Sequence, residues 1–270
     1  VARTGSPLLK TVRAIRARLE GRAGPVKTVP SGLESFDKLT GGFRPGTLVL
    51  LAGWPCLGKT TLALNILHHL ACHRRVTVGM ISHSDREQLV GLLACLGAGV
   101  DPRQFRSGRL GAAEKRRLLK DGLRTLEKAP IHLEDDQDAE VKAWARSTAL
   151  GHGARLIVVD KLPLFLEGQD PSKEAPAFCR RLRAMARETG LVVLLLCDLE
   201  GKGHPGRPGL GDLRSLGPVA RQADMVIFLH SDGIFSDPPD LGAPWFLCVQ
   251  KNRHGVTGEA LVRRDGCRFG

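Results

Sequence analysis

Apolar residues in this chain gather into short unbroken runs, and the runs alternate with longer stretches of helical period. Residues 47–52 (TLVLLA), 76–81, 131–134, 156–160 (LIVVD) and 191–197 (LVVLLLC) have strand length and are rich in Leu, Val and Ile. Between them, 59–72, 86–96, 113–126, 139–150 and 175–189 read as helices. Three further runs, 223–229, 245–250 and 257–262, complete the set. An unbroken apolar strand is buried on both faces, so the sheet must be covered by helices on each side. The pattern predicts one α/β domain over residues 31–270, with a mostly parallel sheet and an antiparallel edge after residue 240.

Residues 6–20 read as a separate amphipathic helix. Ser6 can cap it, Pro7 suits the first helical position, and Leu8, Leu9, Val12, Ile15 and Leu19 share one face. Gly24-Pro25 and Pro30 then interrupt the chain, so residues 1–30 are taken as a helix and connector. The apolar face of such a helix needs a partner, either the chain's own core or a neighbouring subunit.

Composition narrows the function classes. No run reaches the ~18 apolar residues of a membrane span, and the first residues lack the apolar core of a signal peptide. A cytoplasmic protein with no membrane partner is the simple expectation. Seven cysteines, none spaced C-x-x-C, argue against a zinc ribbon and for reduced, mostly buried thiols. The net charge of +12 favours a polyanion, nucleic acid first. An arginine-rich chain without tyrosine also arises from codon bias, so charge alone identifies no ligand.

The sharpest chemical signal is Gly53-Trp54-Pro55-Cys56-Leu57-Gly58-Lys59-Thr60, which fits G-x-x-x-x-G-K-[ST] at every fixed position. A buried strand precedes it and a helix follows. The loop (Gly53, Pro55, Cys56, Leu57, Gly58) and the helix start (Lys59, Thr60, Thr61) form a cradle. Its backbone N–H groups, with the helix dipole, suit a polyphosphate. Lys59 would reach the outer phosphates, and Thr60 would offer its hydroxyl to Mg²⁺. A chance match in a chain with 32 glycines is the competing explanation, and the flanking strand and helix argue against it. Asp160 ends the run LIVVD, where a carboxylate opposite such a loop holds Mg²⁺; alone, a strand-end Asp more often caps a loop.

The order of motifs then resembles a known family. SGLESFDKLTGGFRPGTLVLLAGWPCLGKTTLALN (31–65), REQLVGLLA, RSGRL, APIHLED, LIVVD, GDLRSLGPVARQADMVIFLH (211–230) and QKNRHGVTG (250–258) are similar to the RecA-like C-terminal ATPase domain of DnaB-type replicative helicases. The resemblance implies a RecA-like P-loop core binding ATP with Mg²⁺, a ring of six subunits with ATP between neighbours, and single-stranded DNA in the central channel. A replicative helicase or its loader is a further partner on this reading. Residues 6–20 sit where that family keeps the linker helix that docks on the next subunit, and the family's N-terminal helical domain has no counterpart in these 270 residues. Lys251 and Arg253 match the family's two trans-acting basic residues, although Lys-Asn-Arg-His-Gly is also good turn chemistry. The channel loops correspond to 168–174 and 200–210, which assigns Arg180, Arg183, Lys202, Arg207 and Arg214 to nucleic acid. Any one of these cations alone is as readily a solvated surface charge. Neither loop holds an aromatic residue, so base stacking is not supported. RadA- and KaiC-like ATPases share the P-loop half, but the C-terminal matches favour the helicase family.

Three positions depart from the family. Where it has the catalytic Glu that polarises the attacking water, this chain has His83; Asp85 or Glu87 are the nearest substitutes. A neutral imidazole accepts a proton but brings no fixed charge. After the run 191–197 the family's γ-phosphate-sensing Gln is replaced by Asp198, a carboxylate that would repel a triphosphate unless a cation intervenes. After Asp160 the chain continues Lys161-Leu162-Pro163, where the family has an aromatic first and a Gln third. The sequence therefore leaves two readings open: a working ATP-driven helicase in which Asp85 replaces the Glu, and a nucleotide-binding ring or adaptor with weak or absent ATPase.

Overall fold

The computed structural model describes residues 7–20, 27–135, 141–162, 170–199, 206–216, 218–233, 235, 240 and 242–270. Six strands run parallel: β1 (Leu48–Gly53), β2 (Val78–Ser82), β3 (Ile131–Glu134), β4 (Leu156–Asp160), β5 (Val192–Asp198) and β6 (Met225–Ser231). Two more, β7 (Trp245–Asn252) and β8 (Gly258–Val262), extend the sheet antiparallel from β6. The spatial order is β3-β2-β4-β5-β1-β6-β7-β8, so β1 lies inside the sheet and its C-terminal end faces the ends of β5 and β4. Every residue of β1, β4 and β6 is buried, as is all of β5 except Asp198, as unbroken apolar runs require. At the edge, β8 exposes alternate positions.

The helices are α1 (Pro7–Leu19), α2 (Glu34–Thr40), α3 (Lys59–His68), α4 (Arg86–Ala98), α5 (Pro102–Arg106), α6 (Ala112–Arg117), α7 (Arg124–Leu126), α8 (Val141–His152), α9 (Pro171–Thr189) and α10 (Val219–Gln222). One large core, centred on the sheet, is joined by a small one under α4 formed by Ala94, Cys95, Ala98, Val100 and Leu118. The stretch read as one helix from 113 to 126 contains a π-helical segment, Leu118–Leu123. There Gly122 packs so closely on α4 that a Cβ would lie 2.6 Å from the Ala94 carbonyl oxygen. Helix α9 begins earlier than its apolar period because Asp170 caps it and Pro171 fills its first turn. After β8 the chain makes a two-stranded hairpin, β9 (Arg264–Asp265) and β10 (Arg268–Phe269), which the apolar pattern did not announce. Asn65 of α3 holds it, donating to the Cys267 carbonyl at 2.8 Å and accepting from Phe269 N–H at 3.0 Å.

The expected α/β class is therefore observed, with its antiparallel edge. In α1, Val12, Ile15 and Leu19 are exposed, Leu19 at 83%. Ser6, read as its cap, and connector residues 21–26 lie outside the described residues. No described helix is long and apolar enough to cross a membrane.

Candidate phosphate site

The loop leaves β1 at Gly53 and enters α3 at Lys59. Gly58 caps α3 with φ 95°, a left-handed conformation that favours glycine, and an added Cβ would come 3.3 Å from the Arg264 guanidinium. Cys56 also has positive φ, 63°. Outside glycine that conformation costs on the order of 1 kcal/mol, held here by the surrounding loop. Turns of this kind direct successive N–H groups inward as an anion-binding concavity.

Lys59 is buried beneath the loop. Its Nζ donates to the carbonyls of Gly53 at 3.0 Å and Trp54 at 2.8 Å and pairs with Asp198 at 2.6 Å. Asp198 is reached because the register sets it beside Gly53. Its other oxygen pairs with Lys161, the residue following β4. Burial pushes the Asp198 carboxyl up, but the hydrogen bonds and charges of Lys161 and Lys59 outweigh it and hold the group below its ordinary value. Lys161 moves the matching way: its bond to Asp198 raises it against burial.

Asp160 is buried at the end of β4. Thr60 Oγ1 donates to its Oδ2 at 3.0 Å, and Ser82 Oγ, from the paired end of β2, lies 3.4 Å from the same oxygen. Burial raises the Asp160 carboxyl above its usual range, more than the Thr60 and Ser82 hydrogen bonds and the Lys161 charge lower it. A buried carboxylate beside a hydroxyl is a hard-oxygen pair that suits Mg²⁺. Among the described residues no three His, Cys, Asp or Glu side chains gather as a metal cage. An ion held by Thr60 and Asp160 would thus take its remaining ligands from phosphate and water, the usual arrangement for Mg²⁺.

One group missing from the sequence reading is Arg264. It stacks over Trp245, 4.4 Å from the ring centroid, and donates to the Leu57 carbonyl at 3.3 Å, tying the C-terminal hairpin to the loop. Next to it a cleft of about 460 Å³ is lined by Thr61, Trp245, Arg264, Gly266 and Cys267 among others. Nothing local in the sequence marks Arg264, because it comes to the loop from 207 positions away.

The remaining predicted residues fall in different places. His83 follows β2 directly, and the register there joins Ser82 to Asp160. Asp85 caps α4, accepting from Glu87 N–H at 2.6 Å and Gln88 N–H at 3.2 Å. Lys251 and Arg253 stand at the opposite end of the sheet from the loop, where β7 pairs with the start of β6. Lys251 Nζ donates to the carbonyls of Ala220 at 2.6 Å and Ala223 at 2.7 Å; Arg253 Nη2 donates to the Arg221 carbonyl at 2.8 Å. Neither can reach its own chain's cradle.

Two cations that the resemblance assigns to nucleic acid have acidic partners within the chain. Arg183, in the second half of α9, pairs with buried Asp224 at 2.7 Å. Arg207 pairs with Glu259 and lies over Phe246, 4.4 Å from the centroid. Arg180 and Arg214 are exposed. Lys202 lies outside the described residues, as do 168–169 and 200–205 of the two proposed channel loops.

A glycine loop closing on a buried lysine at the end of a central parallel strand, with a strand-end carboxylate facing its Thr, defines a P-loop site on a RecA-like α/β core. A DnaB-like replicative helicase, solved for its interactions with primase, superposes with a TM-score of 0.85 at 21% identity, covering 96% of this chain and 66% of that one. A KaiC-like protein from Pyrococcus horikoshii fits less closely, TM-score 0.61 at 18% identity over 91% of this chain and 98% of that one. In sequence, replicative DNA helicase DnaB of Geobacillus stearothermophilus is 28% identical over 252 residues, 89% of this chain and 55% of the relative. The DnaB-like helicase C-terminal domain model matches residues 28–266, and the chain belongs to that family. It spans about half the length of this relative.

Proposed function

We propose that the chain binds ATP at Gly53–Thr61 and acts as one subunit of a DnaB-like ring, six-membered by family resemblance, that holds single-stranded DNA. The observation carrying this reading is the convergence of Lys59, Thr60 and Asp160 where the loop leaves β1, Lys59 on the Gly53 carbonyl and Thr60 on Asp160. Lys59 would exchange its carbonyl and Asp198 partners for the outer phosphates. Thr60 and Asp160 would hold Mg²⁺, which supplies charge neutralisation between the phosphates. The cleft beside Arg264 has the volume of a small-ligand site and would take the nucleoside.

Two features support a ring. Lys251 and Arg253 lie too far from their own cradle to serve it, so a phosphate within their reach belongs to a neighbour. Helix α1 carries exposed Val12, Ile15 and Leu19, a face that suits an adjacent subunit. Arg180, Arg214 and Lys202 remain the proposed contacts to the DNA backbone.

Hydrolysis is proposed to be slow. The position that the resemblance gives to the water-polarising group holds His83, an imidazole without fixed negative charge, and the nearest carboxylate in sequence, Asp85, is engaged as a helix cap. That observation keeps the second reading in play: a nucleotide-held ring or adaptor that contacts DNA, a helicase or a loader without unwinding. ATP turnover with and without single-stranded DNA, against a Lys59→Ala control, tests both. DNA-stimulated turnover lost in the control supports a motor; tight binding with negligible turnover supports the adaptor. Absence of Lys59-dependent binding removes the whole reading.

A further inference from the structure

Two of the three departures from the family are in direct contact. Lys161 follows β4, Asp198 ends β5, and 37 positions separate them in sequence, yet they form one ion pair. Asp198 is at the same time the partner of Lys59, the cation of the phosphate loop. One carboxylate thus bridges two lysines, one of them almost fully buried (6% and 38% exposed side chains).

This arrangement poses a charge problem that, among the described residues, Lys161 is placed to resolve. When a phosphate draws Lys59 away, Asp198 is left partly buried beside a polyanion, with Asp160 also close enough to affect it. A like charge in so shielded a position opposes ligand entry strongly, because water screens it poorly. Lys161 touches the Asp198 oxygen that Lys59 does not, and its charge also reaches Cys56 at the loop. It therefore neutralises Asp198 and adds positive charge under the cradle.

We propose that Lys161 is a positioning and charge-balancing residue of the phosphate site: it retains Asp198 when nucleotide takes Lys59, making a carboxylate tolerable where a neutral side chain would otherwise be needed. Lys161 and Asp198 act as one unit, in which the carboxylate is tolerated only with the lysine beside it. This inference rests on the nucleotide-binding reading above.

The test is a double-mutant cycle read as equilibrium affinity for a fluorescent ADP analogue with Mg²⁺, using the full chain. Lys161→Met weakens binding by about tenfold or more, Lys161→Arg keeps it within about threefold, and Asp198→Asn alone weakens it little or tightens it. The Lys161→Met/Asp198→Asn double variant returns to within about threefold of the unmodified chain. Circular dichroism and thermal melting accompany each variant. If folded Lys161→Met binds within about twofold of the unmodified chain, or if the double variant is as weak as Lys161→Met, the charge-balancing role is wrong. Should Lys161→Met not fold, Lys161→Gln alone and with Asp198→Asn carries the same comparison. If the unmodified chain binds no nucleotide, or Lys59→Ala binds equally well, the nucleotide reading itself has failed, which is a different result.

Discussion

Four strand ends lie side by side at the candidate site, in the order β2, β4, β5, β1, and they differ in turn. At β1 and β4, Gly53–Thr60 and Asp160 carry the residue types of a phosphate and Mg²⁺ site, and Thr60 touches Asp160. At β2 and β5 stand His83 and Asp198, at positions where the family resemblance implies a water-polarising Glu and a phosphate-sensing Gln. The contrast separates two jobs that share one surface. Holding phosphate needs backbone N–H groups, a cation and a hard-oxygen pair, and Lys59 and the Thr60–Asp160 pair are residues of those types. Activating water needs a carboxylate aimed at the terminal phosphate; after β2 the chain offers the His83 imidazole and Asp85, which caps α4.

The largest expected effect comes from restoring the missing group. His83→Glu raises ATP turnover by roughly a hundredfold, the lower end of the range for a positioned general base. Steady-state phosphate release measures it, with nucleotide affinity little changed. No gain, in a variant that still binds nucleotide, would break the contrast between β2 and β4.

Acid acts next, and away from the strand ends. Burial, with the charges of His73, Arg268 and His69, lowers His68 at the rear of α3 to about 4. The unfolded chain then takes up that proton first as pH falls, so stability is full above about 6.5 and is lost between about 6.5 and 4. The loss is on the order of 2 kcal/mol by urea titration, and His68→Gln flattens it. Asp198, with its value held down, adds its own loss only at lower pH, as the carboxylates protonate. An identical slope in His68→Gln would move the titrating group elsewhere.

Two smaller effects sharpen the comparison. Asp160→Asn removes a buried carboxylate and raises the stability of the ligand-free chain by roughly 1 kcal/mol, while abolishing the Mg²⁺ dependence of nucleotide binding. Asp85→Ala costs about 1 kcal/mol in thermal unfolding, the usual worth of an N-cap, and leaves turnover unchanged. Loss of turnover there would make Asp85 the replacement carboxylate and restore the motor reading.

Much of the fold was legible because buried strands leave continuous apolar runs. Residues 156–160 are a fully buried strand as read, end to end; 131–134 are also a strand as read, at the sheet edge and only partly buried. The P-loop was legible for a related reason: its spacing is local. What escaped depends on contacts far apart in sequence. Lys161 and Asp198 read as two separate faults, because only the pairing of β4 with β5 makes them one ion pair. The partners of Arg183 and Arg207, Asp224 and Glu259, were likewise invisible in the sequence, being 41 and 52 positions away. Arg264 gave no signal, since its value to the loop lies in a backbone carbonyl and an aromatic face.

The central claim is that binding survives where hydrolysis has weakened. It is tested most directly by measuring Mg²⁺-ATP affinity and single-turnover hydrolysis on one preparation, with saturating single-stranded DNA. The account predicts Lys59-dependent binding with a hydrolysis rate well below the ~1 s⁻¹ lower end of ordinary enzymes. Hydrolysis at or above that rate in the unmodified chain would contradict it.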